Sequence, residues 1–295
     1  MERAGICHSD GFDLAYRIEG EGAPILVIGS AVYYPRLFSS DIKQKYQWVF
    51  VDHRGFAKPK RELRAEDSGL DAVLADIERM RAFLQLEDVT ILGHSGHAFM
   101  ALEYARTYPK QVRKVALSIL RLITVKKDSE KANHFSWKQP ALRERNDLKK
   151  TSRICRRTST KILKGALCTC VFALKRKAFI KSVPHAAALW DGVFTNMPIM
   201  DELWGNTFAQ IDLIQRLADV RMPVYIGLGR YDYLVAPVAL WDAVDGLYPH
   251  MDKVIFERSG TISRCWKNRK PLIKASANGW INKKTARRSK SAGCF

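Results

Sequence analysis

Residues 91–100 read ILGHSGHAFM, and the central GHSGH sets one serine, Ser95, between two glycines and two histidines directly after an apolar run. A serine hydroxyl is a weak nucleophile at neutral pH and needs a base to take its proton. It becomes accessible when it sits on a sharp turn between a strand and a helix, above the carboxyl edge of a sheet. The helix that follows such a turn points free N–H groups and a positive dipole end at the space in front of the serine, where an oxyanion can form. Gly93 and Gly96 are the small residues that a tight turn requires, while His97 stands where a Gly-x-Ser-x-Gly turn has its last glycine. The chemistry favoured is acyl transfer through Ser95. A carboxylate to orient its base is available at Asp232, directly after the apolar stretch VYIGLG (224–229).

These residues work only if a scaffold brings strand ends to one edge. PILVIG (24–29), QWVFVD (47–52), DVTILG (88–93) and VRKVALSI (112–119) read as buried strands. Between them GLDAVLADIERMRAFL (69–84) places Val73, Ile77, Met80 and Leu84 on one helical face, with Ser68 and Asp71 marking its start. After the turn, Ala98, Ala101, Leu102 and Ala105 form a second helical stripe of small residues, suited to lying close on a sheet. The alternation resumes after residue 204, with a helix over NTFAQIDLIQRLADV, the strand VYIGLG, a helix over APVALWDAV (236–244) and a last strand KVIFE (253–257). Strands alternating with helices specify an α/β class with a mostly parallel sheet. The rhythm stops between 121 and 203, as for an inserted helical cap.

Several segments resemble the α/β-hydrolase superfamily, and most of all its proline-iminopeptidase-like branch. VIGSAVYYPRLFS is similar to the loop after the third strand, and VDHRGFAKP to the D-x-R-G-x-G turn, with Ala57 in place of its last glycine. GHSGHAFMALEYARTYPKQVRKVAL resembles the nucleophile elbow, its helix and the next strand. ALWDGVFTNMPIMDELWG resembles the end of a cap, and LGRYDYLVAP the strand end that carries the catalytic acid. The resemblance spans about 1–120 and 185–260. It implies an α/β-hydrolase fold with core halves at 1–120 and 204–258, a cap at 121–203 and a basic C-terminal segment at 259–295. It further implies Ser95 as nucleophile, Asp232 as the orienting acid, the backbone N–H groups of Gly96 and Ser30 as the oxyanion hole, and no cofactor.

One member of the constellation is missing. The family's histidine follows the last strand in a loop reading Ser-Gly-His, whereas this chain reads FERSGTISRCWKNRK, with Thr261 at that place. Threonine takes no proton near neutral pH. No histidine occurs after His250, which precedes the last strand and therefore belongs to the opposite edge of the sheet. His94 packs beneath the turn, and His97 lies on the first helical turn with its ring directed to packing or cap contacts. His8 and His53 belong to the first strand region and the D-x-R-G turn, while His134 and His185 fall in or beside the cap. The expectation is a serine hydrolase of weak or lost activity toward a small-molecule ester, amide or peptide. The alternative is an inactive hydrolase-like scaffold whose basic segments bind anionic partners non-specifically.

Charge separates these parts. Residues 121–181 hold 18 Lys or Arg against 4 acids, and 258–295 hold 11 and none, so with a net charge of +19 the rest of the chain is acidic by six. Cys155, Cys168, Cys170, Cys265 and Cys294 cluster in those same stretches, and only Cys7 lies elsewhere. Within them, about 138–182 and 259–295 begin abruptly, as local reading-frame changes would leave them. No CxxC pair or zinc-type His/Cys spacing points to a metal, and no nucleic-acid module is visible. The longest nearly uncharged apolar run, GALCTCVFAL, is about half a membrane span, so the expected location is cytoplasmic.

Overall fold

The apolar runs at the centre of the sequence are the parallel strands of one sheet in the computed structural model, which describes residues 2–38, 43, 45–118, 188–230 and 238–256. The sheet begins with a hairpin, β1 (Arg3–Ser9) and β2 (Phe12–Glu19), turned at Asp10–Gly11. It continues through β3 (Pro24–Gly29), β4 (Gln47–Asp52), β5 (Val89–His94), β6 (Val112–Ser118), β7 (Val224–Gly229) and β8 (Met251–Phe256). The spatial order is β1-β2-β4-β3-β5-β6-β7-β8. β2 meets β4 antiparallel, and every later neighbour is parallel. All the parallel strands therefore end at one edge.

Their two-residue alternation explains why these strands lack a polar face. Leu26, Ile28, Val49, Val51 and Ile91 point to one side, where they pack with α2 (Leu70–Phe83) and α3 (His97–Thr107). Ile25, Val27, Trp48, Phe50 and Leu92 point to the other, against α1 (Tyr33–Leu37) and Leu189. Both faces are covered, as a parallel sheet requires. The α2 stripe read from the sequence is fully buried at Val73, Ile77 and Met80.

Three local readings are corrected. The N-cap of α2 is Gly69, with no side-chain cap bond, because Ser68 ends a preceding 3-10 turn (Ala65–Ser68). The single helix read over 206–220 breaks at Ile211, which is extended, and Asp212 then caps the shorter α5 (Leu213–Asp219) by accepting from the Gln215 N–H. It follows α4 (Met197–Glu202), a π-helical turn at Leu203–Thr207 and a 3-10 turn. Val238–Val244 is 3-10 in spacing rather than α-helical. Residues 121–187, most of the stretch expected to form a cap, and the C-terminal segment 259–295 lie outside the described residues, as do Asp232, His134, His185 and Thr261. Among the described residues no helix is long and apolar enough to cross a membrane.

Candidate active site

Ser95 and Gly96 lie between β5 and α3, and the Ser95 backbone has φ +57, a left-handed conformation rare outside glycine. Such strain persists only where surroundings impose it. Here the Ser95 N–H donates to the Ser118 carbonyl at the end of β6 (2.9 Å), while the Ser95 carbonyl accepts from the Ala98 N–H (3.0 Å) to start α3. A side chain at Gly93 would stand 2.6 Å from the Ala98 Cα, so only glycine lets helix and strand approach this closely. From Ile91 to Met100 every residue is buried except Ser95, which is half-buried. The turn thus presents its serine and hides its flanks.

β3 runs beside β5, and their pairing ends at Val27–Leu92, three residues before Ser30 and Ser95 respectively. Both loops therefore leave the sheet side by side. The Ser30 loop is tightly wound. Ser30 Oγ accepts from the N–H groups of Val32 (3.2 Å) and Tyr33 (3.1 Å), and the Ser30 carbonyl accepts from the Tyr34 N–H (3.1 Å). Asp52, at the end of β4, accepts from the Ala31 N–H at 2.7 Å. Burial pushes the Asp52 carboxyl up to about 7, against the N–H groups of Ala31 and Ala15 that favour its charged form.

Behind Ser95 lies an aromatic cluster. His97 is buried, 5.7 Å from Tyr34, 5.3 Å from His53, 5.6 Å from Phe56 and 5.2 Å from Trp204 between ring centres. Trp204 belongs to the π-helical turn, and its indole fills the space a side chain on Gly96 would need. Met200 of α4 and the Asn196 N–H, which donates to the Gly55 carbonyl (2.8 Å), seat the same stretch on the D-x-R-G turn. His94 packs against Tyr34 at 6.0 Å. His53 Nδ1 accepts from the Gly55 N–H at 3.1 Å. His250 sits at the amino ends of β7 and β8, where its carbonyl accepts from the Val224 N–H, far along both strands from the Ser95 edge. His8 pairs with Asp13 on the hairpin.

Burial holds His53 at about 3 and His97 well below the usual imidazole range, with Arg54 beside His53 acting in the same direction. Both are neutral in the native state and charge on unfolding below about 6.5. Their contribution to stability is therefore present above that pH and is lost as pH falls. Asp52 acts in the opposite sense, weakening the fold as pH rises from about 4 to about 7. His53→Asn retains an acceptor for the Gly55 N–H and removes one titrating group. We expect its unfolding free energy to lose about 2 kcal/mol less than that of the parent between pH 7 and pH 5 in urea titrations. An unchanged pH dependence would contradict a neutral buried His53.

Of the residues picked out in the sequence, the structure brings Ser95, Gly96 and Ser30 to one edge. Asp52 of the D-x-R-G turn lies at the same edge, and Tyr34 and Trp204 join them there without having been singled out. The doubled tyrosine of AVYYP and the WG of ELWG carried too little pattern to distinguish them from ordinary core. Among the described residues no three His, Cys, Asp or Glu side chains meet as metal ligands.

Comparison with known proteins agrees with this architecture. The chain is 74% identical over 260 residues to the AB hydrolase superfamily protein YclE of Bacillus subtilis (strain 168), covering 88% of this chain and 92% of that protein. A shorter stretch of 108 residues is 28% identical to a proline iminopeptidase of Neisseria meningitidis serogroup A, covering 37% of this chain and 32% of the other. Among solved structures, an alpha/beta fold family hydrolase from Bacillus anthracis str. Sterne superposes with a TM-score of 0.65 at 17% identity, covering 96% of this chain and 99% of that one. The profile of the alpha/beta hydrolase fold matches residues 23–262, and on that match the chain belongs to the alpha/beta hydrolase family.

Proposed function

We propose that this chain is a serine hydrolase acting on an ester, amide or small-peptide bond through an acyl-serine intermediate on Ser95. The observation that carries the reading is the left-handed Ser95 backbone, held by the Ser118 carbonyl at the only half-exposed position of an otherwise buried turn. Ser95 Oγ attacks the substrate carbonyl carbon, and as the new C–O bond forms its proton passes to water, which returns one to the leaving group. The N–H groups of Gly96 and Ser30 receive the resulting oxyanion. Collapse expels the alcohol or amine, and water then attacks the acyl-serine to release the acid and restore the hydroxyl.

Asp232 would orient a histidine at position 261, and Thr261 leaves that proton transfer to water. Activity is then low but not zero, since proteases lacking a triad member retain roughly 10³–10⁴-fold catalysis over water. The names of the relatives support the class: one belongs to the AB hydrolase superfamily and another is a proline iminopeptidase. A fluorophosphonate probe is expected to label the parent at Ser95, identified by peptide mass, and to leave Ser95→Ala unlabelled. Labelling elsewhere, or none, would make the chain a hydrolase-like scaffold without the reaction.

A further inference from the structure

His97 occupies the place of a glycine in the elbow pattern, and the proposed reaction gives its imidazole no part. Its partner is specific. Tyr34 Oη lies 2.9 Å from His97 Nδ1, and 3.5 Å from both the Nδ1 and the carbonyl oxygen of His94. The Tyr34 ring meets both imidazoles edge-on, at 77° to His94 and 81° to His97. Tyr34 and His97 are 2% and 6% exposed, so water does not compete for the bond.

The two residues belong to the two chain segments that border the reacting position. Tyr34 is the second residue of α1, just after the Ser30 loop, and its own N–H donates to the Ser30 carbonyl. Its ring covers Gly29, whose φ of +145 together with that ring leaves no room for a side chain. His97 opens α3, directly after Gly96, and Trp204 closes over both. Among the described residues, no backbone–backbone hydrogen bond joins the two segments beyond the β3–β5 pairing, which ends at Val27 and Leu92.

We propose that Tyr34 and His97 are positioning residues for the oxyanion hole, their buried hydrogen bond setting the spacing between the Ser30 and Gly96 N–H groups. This rests on the reading of Ser95 as the nucleophile. An oxyanion donor acts only within about 2.7–3.1 Å of the developing charge, and two donors on separate loops hold that distance only if the loops are tied. A glycine at position 97 could not make this tie. The indole over Gly96 limits movement of the helix start on the other side, so loop and elbow are clamped as one unit. His97 Nε2 has no partner among the described residues, which leaves Nδ1 as the working end of the ring.

The test uses the full chain and four variants. Tyr34→Phe keeps the ring and removes the hydroxyl; His97→Leu removes the imidazole nitrogen that meets it; His97→Asn restores a polar group near the Nδ1 position; Ser95→Ala is the control. With a fluorophosphonate probe, Tyr34→Phe and His97→Leu are expected to lower the limiting rate of Ser95 labelling roughly tenfold. The half-saturating probe concentration should stay unchanged, and His97→Asn should recover to within about threefold of the parent. Amide hydrogen exchange should rise together in the peptides spanning 28–34 and 95–99 in Tyr34→Phe. Parental labelling rates in Tyr34→Phe overturn the proposal even if exchange rises. Loss confined to probe affinity overturns it as well. If the parent is not labelled, the nucleophile reading falls by itself and exchange judges the tie: a joint rise supports it, and unchanged exchange overturns it.

Discussion

Thr261→His is expected to raise ester hydrolysis about 10²–10³-fold over the parent, the range a positioned general base contributes. The parallel strands that precede that position are in place. β5, β6, β7 and β8 are parallel, so their carboxyl ends share the Ser95 edge. Asp232 follows the end of β7 by three residues, and Thr261 follows the end of β8 by five. The gain should appear in kcat/KM for a p-nitrophenyl ester, with a rising limb near the imidazole range, and should vanish in Thr261→His/Ser95→Ala. No gain would mean that the base is not what the parent lacks.

Arg54→Met is expected to cost about 3–5 kcal/mol of folding stability, because it leaves the buried Asp76 carboxylate without a cationic partner, whereas Asp67 keeps Arg61. Arg54 Nε and Nη2 donate to the two oxygens of Asp76 at 2.8 and 2.9 Å, and Nη1 donates to Asp67 at 2.9 Å. Both aspartates are 0% exposed and Arg54 only 2%. Ser9 Oγ also donates to Asp76 (2.7 Å), and the guanidinium lies 4.9 Å from the Phe12 ring. One side chain thus fastens α2, the hairpin and the D-x-R-G turn together. Since Arg54 and Asp76 act as a pair, adding Asp76→Asn should cost less than the sum of the two single changes by about 1–3 kcal/mol. Urea unfolding of the three variants measures this, and additive costs would refute the pairing.

The core strands were legible because both faces of each are buried, so PILVIG and QWVFVD read as unbroken apolar runs. The α2 stripe was legible for the same reason in helical spacing. Legibility failed where backbone chemistry decides. Asp212 reads as one more polar residue on a helix surface, yet its side chain starts a new helix there. Ser68 looks like an N-cap, but a 3-10 turn uses it first. Ser95 was picked out through the pattern GHSGH, and Gly96 and Ser30 through the resemblance of the elbow and of the loop after β3. Tyr34 and Trp204 come to the site from 61 residues upstream and 109 downstream of Ser95, and single aromatic residues announce no such meeting. Asp232 and Thr261 rest on resemblance and on their distance from strand ends.

The contact between Gly96 and Trp204 has a consequence for how relatives of this chain can change. The two positions share one volume, so neither is free to drift alone. A lineage that enlarges position 96 must first shrink position 204, and one that loses the indole opens a hollow beside the serine that a bulkier acyl group could enter. Substrate size would then evolve by paired exchange between an elbow residue and a residue 108 positions away, leaving the sheet and its strand ends untouched.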